Sequence, residues 1–401
     1  MRSGIVILAD DLTSAGDGAA PFRRAGHEAR ILLSVPGLLP RNGATDVAAI
    51  DLGSRVLDEG AAALRTERAA RLFSGSGLLF KTVDSTLRGH VAAEVRAAWA
   101  GSGRRAVVIA PAFPGEERMT VAGVQYVRGV PVHESDFARD PVHPVRCSDL
   151  AALFPEAVQV GSDRAAELPE LIGRGGLIVC SAASDGDLDR LVERVPRLGD
   201  VLWVGSPGLA AALARACARA GGAVPVPEPA LRPLFVVGSA NPAALRQVAA
   251  LRRRGDVQGV TVGGDPERAV ESLSRSTAPV LTLQMPGERR APQAARALAR
   301  SLAAVVRGLA EEQVVDALVV TGGETAATVL PALGATCIRL VDEPEPGVAR
   351  GSLLGPLPLP VLIKAGGFGD DALLLRLCRL IRHPVDRHPV DRHPLDQGEH
   401  V

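Results

Sequence analysis

The apolar positions along this chain fall into two alternating kinds of segment. Short Val/Ile/Leu-rich runs are followed by longer Ala/Leu/Arg stretches with helical spacing. The short runs Ile5–Leu8, Val47–Ile50, Leu78–Lys81, Ala106–Ile109, Leu177–Cys180 and Val201–Val204 predict strands, and Gly60–Leu72 and Asp187–Val195 predict helices between them. Near-continuous apolar runs alternating with helices are the pattern of parallel strands buried on both faces. After Gly221–Pro233 (GGAVPVPEPALRP), four prolines among small residues that predict a linker, the alternation resumes. Leu234–Val237, Gly259–Val262, Val280–Leu283, Ala317–Val320, Cys337–Val341 and Pro360–Ile363 are its strands. The expected architecture is α/β with two domains, each a mainly parallel sheet flanked by helices, and a cleft between them. The expected division is 1–220, a linker at 221–233, and 234–382. The repeat HPVDRHPVDRHPLDQ that follows, with a proline in every unit, is expected to be a disordered tail over 383–401.

Composition narrows the partners. Formal net charge is zero and no basic face is evident, which argues against nucleic acid or an anionic membrane. The first ten residues hold too short an apolar run for a signal peptide, no run is long enough to span a bilayer, and the five cysteines form no C-x-x-C pair. Together these predict a cytoplasmic protein. Only two lysines occur, Lys81 and Lys364; every other basic residue is arginine. Both stand at the ends of apolar runs inside Gly-, Ser- or Asp-bearing motifs, where a compact ammonium and a planar guanidinium do different work.

Ligands of open α/β sheets bind beyond the carboxyl ends of the strands. In the first half those ends read Asp10-Asp11-Leu12-Thr13-Ser14-Ala15-Gly16-Asp17, Asp51-Leu52-Gly53-Ser54-Arg55, Lys81-Thr82-Val83-Asp84-Ser85-Thr86-Leu87-Arg88-Gly89-His90 and Ala110-Pro111-Ala112-Phe113-Pro114. If the sheet is parallel, all four meet on one edge. The set suits a small polyhydroxy anion: Arg55, Lys81 or Arg88 can pair with its carboxylate, and aspartates can accept from its hydroxyls and take a proton from an attacking one. Any single aspartate could equally cap a helix. The second half offers glycine clusters instead: Gly238-Ser239-Ala240-Asn241, Gly322-Gly323-Glu324-Thr325, Pro346-Gly347-Val348 and Lys364-Ala365-Gly366-Gly367-Phe368-Gly369. Glycines between a strand and a helix let backbone approach a phosphate. The G-x-x-x-x-G-K-[ST] phosphate loop and the G-x-G-x-x-G dinucleotide fingerprint are missing, which disfavours a two-domain oxidoreductase.

These segments together resemble the four-carbon acid sugar kinase family. ILADDLTSAGD is similar to that family's ADDLTGAND-type opening, KTVDSTLRGH to its K-x-x-DSTLRGN segment, and Ala110–Val145 to its APAFP…GR…PV-x-E-T-x-FA-x-DP stretch. VGSPGLAAAL, FVVGSANPA, TGGETAATV, PEPGVA and IKAGGFG continue the match to about Gly369. The resemblance implies ATP- and Mg²⁺-dependent phosphorylation of the terminal hydroxyl of threonate, erythronate or a 3-oxo relative. It implies that Asp10, Asp11, Ser54, Arg55, Lys81, Asp84, Ser85 and Arg88 surround the acid, with Asp84, Asp11 and Lys81 as the catalytic candidates. Ser239, Gly322, Gly323, Glu324, Thr325 and Gly366 would meet the nucleotide, and Gly347, Lys364 and Gly367 from the same glycine clusters join them as candidates. A homodimer is expected to be possible. The chain departs from the pattern at Ser14, Gly16, Glu117, Asn241, Ala244 and Gly367. The changes at Asn241 and Ala244 motivate an alternative, a non-catalytic sugar-acid-binding paralogue with a weakened ATP site.

Overall fold

A computed structural model of the chain describes residues 4–35, 46–140, 143–219, 227–263, 265–287 and 292–384. The first six residues of the expected linker, 221–226, and the repeat tail from 385 onward lie outside the described residues. By contact the chain forms two compact units. One takes the chain to residue 223 together with 322–365, and the other takes 224–321 together with 366 onward.

In the first unit the strands, in chain order, begin with β1 (Ile5–Ala9), β2 (Ala29–Leu32), β3 (Val47–Asp51), β4 (Leu78–Thr82) and β5 (Ala106–Ala110). A separate antiparallel hairpin sheet follows: β6 (Arg118–Val121), β7 (Val124–Val127) and β8 (Val130–Pro131). Then come β9 (Val158–Val160), β10 (Gly176–Cys180) and β11 (Val201–Gly205). The order β2-β3-β1-β4-β11-β5-β10-β9 is parallel throughout. β1, IVILA, is buried at all five positions, as a central parallel strand with both faces covered should be. The helices are α1 (Leu12–Arg24), α2 (Glu59–Leu72), α3 (Val91–Ser102), α4 (Leu150–Leu153), α5 (Leu168–Arg174), α6 (Asp185–Glu193) and α7 (Pro207–Ala216). α2 packs on α3, while α7 packs on α1 and α6. Their starts are written in the sequence: Asp58 caps α2, Ser184 and Asp187 form a reciprocal capping box on α6, and Pro207 opens α7.

The second unit holds β12 (Pro233–Val237), β13 (Val257–Thr261), β14 (Val280–Gln284) and β15 (Ala317–Thr321) in the parallel order β13-β14-β12-β15. Its helices in that stretch are α8 (Pro242–Arg252), α9 (Pro266–Ser274) and α10 (Pro292–Glu311). The chain then re-enters the first unit with α11 (Gly323–Ala332), β16 (Cys337–Glu345), β17 (Val348–Leu354) and β18 (Pro360–Lys364), before α12 (Leu373–Arg382) in the second. β16, β17 and β18 are antiparallel to one another, and β16 joins the parallel array by pairing antiparallel with β2. The expected strands are present, most within a residue or two of their ends. β17 and the antiparallel return were not anticipated, because two bulges in the β16–β17 register break the alternation.

Candidate functional site

The ends of β3, β1, β4 and β5 point the same way, so the four polar clusters do meet on one edge of the first unit. Local turns bring them closer still. After β3, the Asp51 carboxylate accepts from the Gly53 amide at 2.7 Å, Gly53 turns at φ 54°, and the Ser54 and Arg55 amides donate to the Asp10 carbonyl at 2.9 and 3.2 Å. After β4, Asp84 accepts from the Thr86 amide at 2.7 Å and hydroxyl at 2.6 Å. Leu87 then adopts φ 61°, a left-handed conformation that a branched apolar residue holds only when its surroundings require it. Gly89 follows at φ 90°, where a Cβ would stand 3.4 Å from an Asp10 carboxylate oxygen.

Arg55 is the hub. Its Nε and Nη2 chelate the two Asp10 oxygens at 2.7 and 2.9 Å, Nη1 donates to Asp11 Oδ2 at 2.5 Å, and Nη2 also reaches the Ser14 hydroxyl at 3.0 Å. Asp11 does double duty: its other oxygen caps α1, accepting from the Ser14 amide at 2.7 Å and the Thr13 hydroxyl at 2.9 Å. Arg88 holds Asp84 through Nε at 2.9 Å and Nη2 at 2.6 Å, extends Nη1 toward Asp140 at 3.4 Å, and lies over the Phe137 ring. Ser54 is fully buried beside this hub, and its hydroxyl has no hydrogen-bond partner among the described residues.

The charges shape one another. Burial alone would lift Asp10, but Arg55 and then Lys81 outweigh it and hold the carboxylate below its ordinary range. Asp84 is driven further down, burial being overcome by Arg88 and Arg55 and by its bonds to Thr86. Asp51 goes the other way: burial, reinforced by Asp11 and Asp10, lifts it to about 7. Asp17, one turn beyond Ser14 on α1, is lifted well above its ordinary value by burial and by Glu343 and Asp11.

Lys81 does not reach into this edge. Its ammonium is fully buried, 2.9 Å from Glu94 of α3 and 2.7 Å from the Thr82 carbonyl. It acts on Asp10 through the field rather than by contact. Ser85 lies on the edge, its hydroxyl accepting from Arg118 Nη1 at 2.8 Å. The VGSPGLA element lies below: a Cβ on Gly208 would come within 2.5 Å of the Ala112 carbonyl, and the Ser206 hydroxyl donates to the same oxygen at 2.8 Å.

The residues expected to meet a nucleotide divide between the units. In the second, Gly366 seats on Ser239, where a Cβ would meet the serine oxygen at 2.6 Å, and a Cβ on Gly367 would stand 3.2 Å from the Asn241 side-chain amide nitrogen. Gln247 of α8 fixes this loop, its amide donating to the carbonyls of Phe368, Gly369 and Asp370 at 2.9–3.1 Å. Asn241 caps α8 by accepting from the Ala243 amide at 2.9 Å, and Ala244 is buried, so both departures have local structural roles. In the first unit, Gly322 turns at φ 101° into α11, whose start carries no side-chain cap, with Glu324 exposed and Thr325 buried in its first turn. A Cβ on Gly323 would lie 3.4 Å from Asp11 Oδ2, so the TGGET segment abuts the aspartates. Gly347 makes the β16–β17 turn at φ 71°. Lys364, at the end of β18, is buried, donates to the Ala365 carbonyl at 2.9 Å, and is depressed to about 8 by burial.

Two family models match the chain. A model described as a sugar-binding N-terminal domain matches residues 5–213, and one described as a nucleotide-binding C-terminal domain matches residues 234–374. A D-threonate kinase of Bordetella bronchiseptica is 37% identical over 94% of this chain and 97% of its own. The chain belongs to the four-carbon acid sugar kinase family. That makes it a sugar-acid kinase, a phosphotransferase with an alcohol group as acceptor. Within the family it is also similar to a D-erythronate kinase of Heliobacterium modesticaldum, 30% identical over 92% of this chain and 95% of the other. A 3-oxo-tetronate kinase of Methylobacterium radiotolerans is likewise 30% identical, over 92% and 97%. A Salmonella typhimurium crystal structure shares the fold at a TM-score of 0.78 and 23% identity, over 95% of this chain and 100% of that one. A Bordetella bronchiseptica crystal structure with bound citrate, a domain-swapped dimer, matches at 35% identity and a TM-score of 0.50, over 94% and 98%. Among the described residues no helix is long and apolar enough to cross a membrane, and no group of three or more acidic, histidine or cysteine side chains could hold a metal ion.

Residue-by-residue reading of the sequence missed Arg118 and Asp140 as parts of this edge, and Glu94 beneath it. The first two lie inside a quoted motif but not at the carboxyl end of a strand. Glu94 lies on a helix and carries no local signal at all.

Proposed function

We propose that the protein is an ATP-dependent kinase that phosphorylates the terminal hydroxyl of a four-carbon sugar acid of the threonate, erythronate or 3-oxo-tetronate type. The observation that carries this reading is the meeting of Asp10, Asp11, Arg55, Asp84 and Arg88 at one sheet edge, with the uncapped start of α11 against Asp11. Acid-recognising carboxylates and a phosphate-accepting helix start therefore adjoin within one unit. Asp10, Asp11, Ser54, Arg55, Asp84, Ser85 and Arg88 surround the acid, and Lys81 supports Asp10 from behind. The aspartates accept from the hydroxyls, and Asp84 or Asp11 directs the attacking one and takes its proton. A low carboxyl pKa is no obstacle, because phosphoryl transfer through a loose transition state asks chiefly for positioning.

Ser239, Gly366 and Gly367 of the second unit, and Gly322, Gly323, Glu324, Thr325, Gly347 and Lys364 of the first, are the nucleotide candidates of this reading. Their bare backbone suits a triphosphate. Mg²⁺ suits the site as a cation bound by phosphates and at most one or two carboxylates, Glu324 being the exposed one, where it would neutralise phosphate charge. The citrate held by the Bordetella structure is itself a hydroxylated carboxylate, which supports the substrate class. The swapped dimer of that relative makes a homodimer the assembly to test.

An ADP-release assay over threonate, erythronate and 3-oxo-tetronate stereoisomers tests the reading. ADP is expected only with such an acid present. Binding of an acid by calorimetry with no ATP–Mg²⁺ binding would favour the non-catalytic paralogue.

A further inference from the structure

Three aspartates of the first edge have both carboxylate oxygens engaged. Asp10 is chelated by Arg55 Nε and Nη2. Asp11 accepts from the Thr13 hydroxyl and the Ser14 amide on Oδ1, and from Arg55 Nη1 on Oδ2. Asp84 accepts from the Thr86 amide and hydroxyl on Oδ1, and from Arg88 Nε and Nη2 on Oδ2. A proton arriving on any of them competes with a bond already made, so none keeps it at no cost.

Asp17 differs. On α1 it follows Thr13 by four residues and Ser14 by three, the spacing that places side chains on one helix face. Thr13 and Ser14 are the residues of that face that meet Asp11 and Arg55. Asp17 is half-buried, and among the described residues its carboxylate takes no hydrogen bond and no ion pair. The charged groups that act on it are Glu343 of β16, Asp11 of its own helix, Arg55 after β3 and Asp84 after β4, and its charge acts in turn on Arg118 of β6. Glu343 is itself fixed, accepting from Arg24 Nη1 at 2.5 Å and from the Gly347 amide at 3.0 Å. Asp17 therefore neighbours the aspartates of the acid site and, through Glu343, the Gly347 turn, all within the first unit. Burial, with Glu343 and Asp11, lifts Asp17 well above its ordinary value, whereas at Asp84 burial is overcome by Arg88 and Arg55. Transfer of a proton from Asp84 to Asp17 is accordingly downhill.

We propose that Asp17 is the terminal proton acceptor of the phosphoryl transfer, receiving from Asp84 or Asp11 the proton of the attacking hydroxyl. This role rests on the kinase reading above. In one turnover the hydroxyl O–H bond breaks and its oxygen forms the bond to the γ-phosphorus. The bond from that phosphorus to the bridging oxygen breaks, and its electron pair leaves with ADP. The proton passes through Asp84 or Asp11 to Asp17, directly or through one water, and from Asp17 to solvent. Asp84 thereby regains its bonds to Arg88 and Thr86 for the next turnover.

The test is the pH dependence of acid-dependent ADP release, between roughly pH 4 and 9, for the full-length wild type, Asp17→Asn, Asp17→Glu and Asp51→Asn. Acid and ATP binding are measured on each by calorimetry. Wild-type kcat/KM is expected to rise with pH through a midpoint above the ordinary carboxylate value of 3.8, because Asp17 must be ionised to accept a proton. Asp17→Asn is expected to lose that rise and to lower kcat at least about tenfold at neutral pH, with neither affinity weakened more than about threefold. Asp17→Glu should restore part of kcat and keep a rise. Asp51→Asn, which removes the other lifted carboxyl of this edge, should keep the rise as well. These last two and the wild-type profile carry the test if the asparagine variant does not fold. The role is overturned by a flat wild-type profile, by a rise lost in Asp51→Asn, or by Asp17→Asn that keeps the rise or falls less than about tenfold. A loss of acid affinity that accounts for the whole fall overturns it too. In each of these cases a wild type that still releases ADP leaves the kinase reading standing. Wild type that binds acid and ATP but releases no ADP overturns that reading, and this role with it.

Discussion

The strand ends of the first unit and the glycine loops of the second are built on opposite principles. At the first edge, charged side chains hold one another: Arg55 spans Asp10 and Asp11, and Arg88 fixes Asp84. At the Ser239–Gly366 contact almost nothing projects, and the fit depends on an absent Cβ, with Gln247 tethering the loop by its backbone carbonyls. A side-chain site tells one hydroxylated acid from another by donor and acceptor placement. A backbone site of this kind would suit a triphosphate, whose charge is the same in every turnover. Substitutions in the first should therefore disturb charge balance and folding together, and substitutions in the second should disturb nucleotide affinity alone.

The largest expected effect lies beneath the first edge. Glu94→Ala leaves the Lys81 ammonium buried without its carboxylate, and stability should fall by about 3–5 kcal/mol in denaturant unfolding. Replacing both partners, Lys81→Met with Glu94→Leu, should recover much of that loss while leaving Asp10 a weaker acid, because Lys81 helps hold it down.

Next comes Asp51. Its carboxyl sits at about 7 in the folded protein against an ordinary 3.8, so between roughly pH 4 and 7 the native state keeps a proton that the unfolded chain has released. Stability contributed by that proton is complete below pH 4, is lost as pH rises through 7, and stays lost above. Asp51→Asn keeps the acceptor for the Gly53 amide. It should flatten this slope and leave the protein more stable than wild type at pH 8, on the order of a few kcal/mol, with no difference near pH 4. An unchanged slope would show that Asp51 ionises normally.

The smallest effect is in the glycine loop. Gly366→Ala must displace the Ser239 hydroxyl, which also accepts from the Asn241 amide at 3.2 Å. The KM for ATP should rise about tenfold, or roughly 1.4 kcal/mol, with the KM for the acid steady. An equal rise in both would erase the contrast between the two regions.

The sequence made the first edge legible because fully buried parallel strands appear as unbroken apolar runs, so their ends, and the polar residues there, can be located. IVILA followed by Asp10-Asp11 is the plainest case. The same logic cannot find a partner that arrives from elsewhere in the chain. Arg118 comes from a hairpin, and Glu94 from an Ala-rich helix. The grouping of Gly322–Lys364 with the first unit depends on β16 pairing with β2 across some 300 residues, which no local pattern encodes. Gly16 shows the converse: it looked like a lapse in a motif, but a Cβ there would stand 2.9 Å from Ala349 Cβ, so packing of α1 on β17 demands it.

The most direct test is turnover of Asp84→Asn with ATP and the preferred four-carbon acid, measured alongside ATP binding. Orientation of the attacking hydroxyl by Asp84 predicts a fall of at least about tenfold in kcat with ATP affinity unchanged. A fall smaller than that would remove Asp84 from the orientation of the hydroxyl, and a loss of ATP affinity in step with turnover would contradict the placement of the acid among these aspartates.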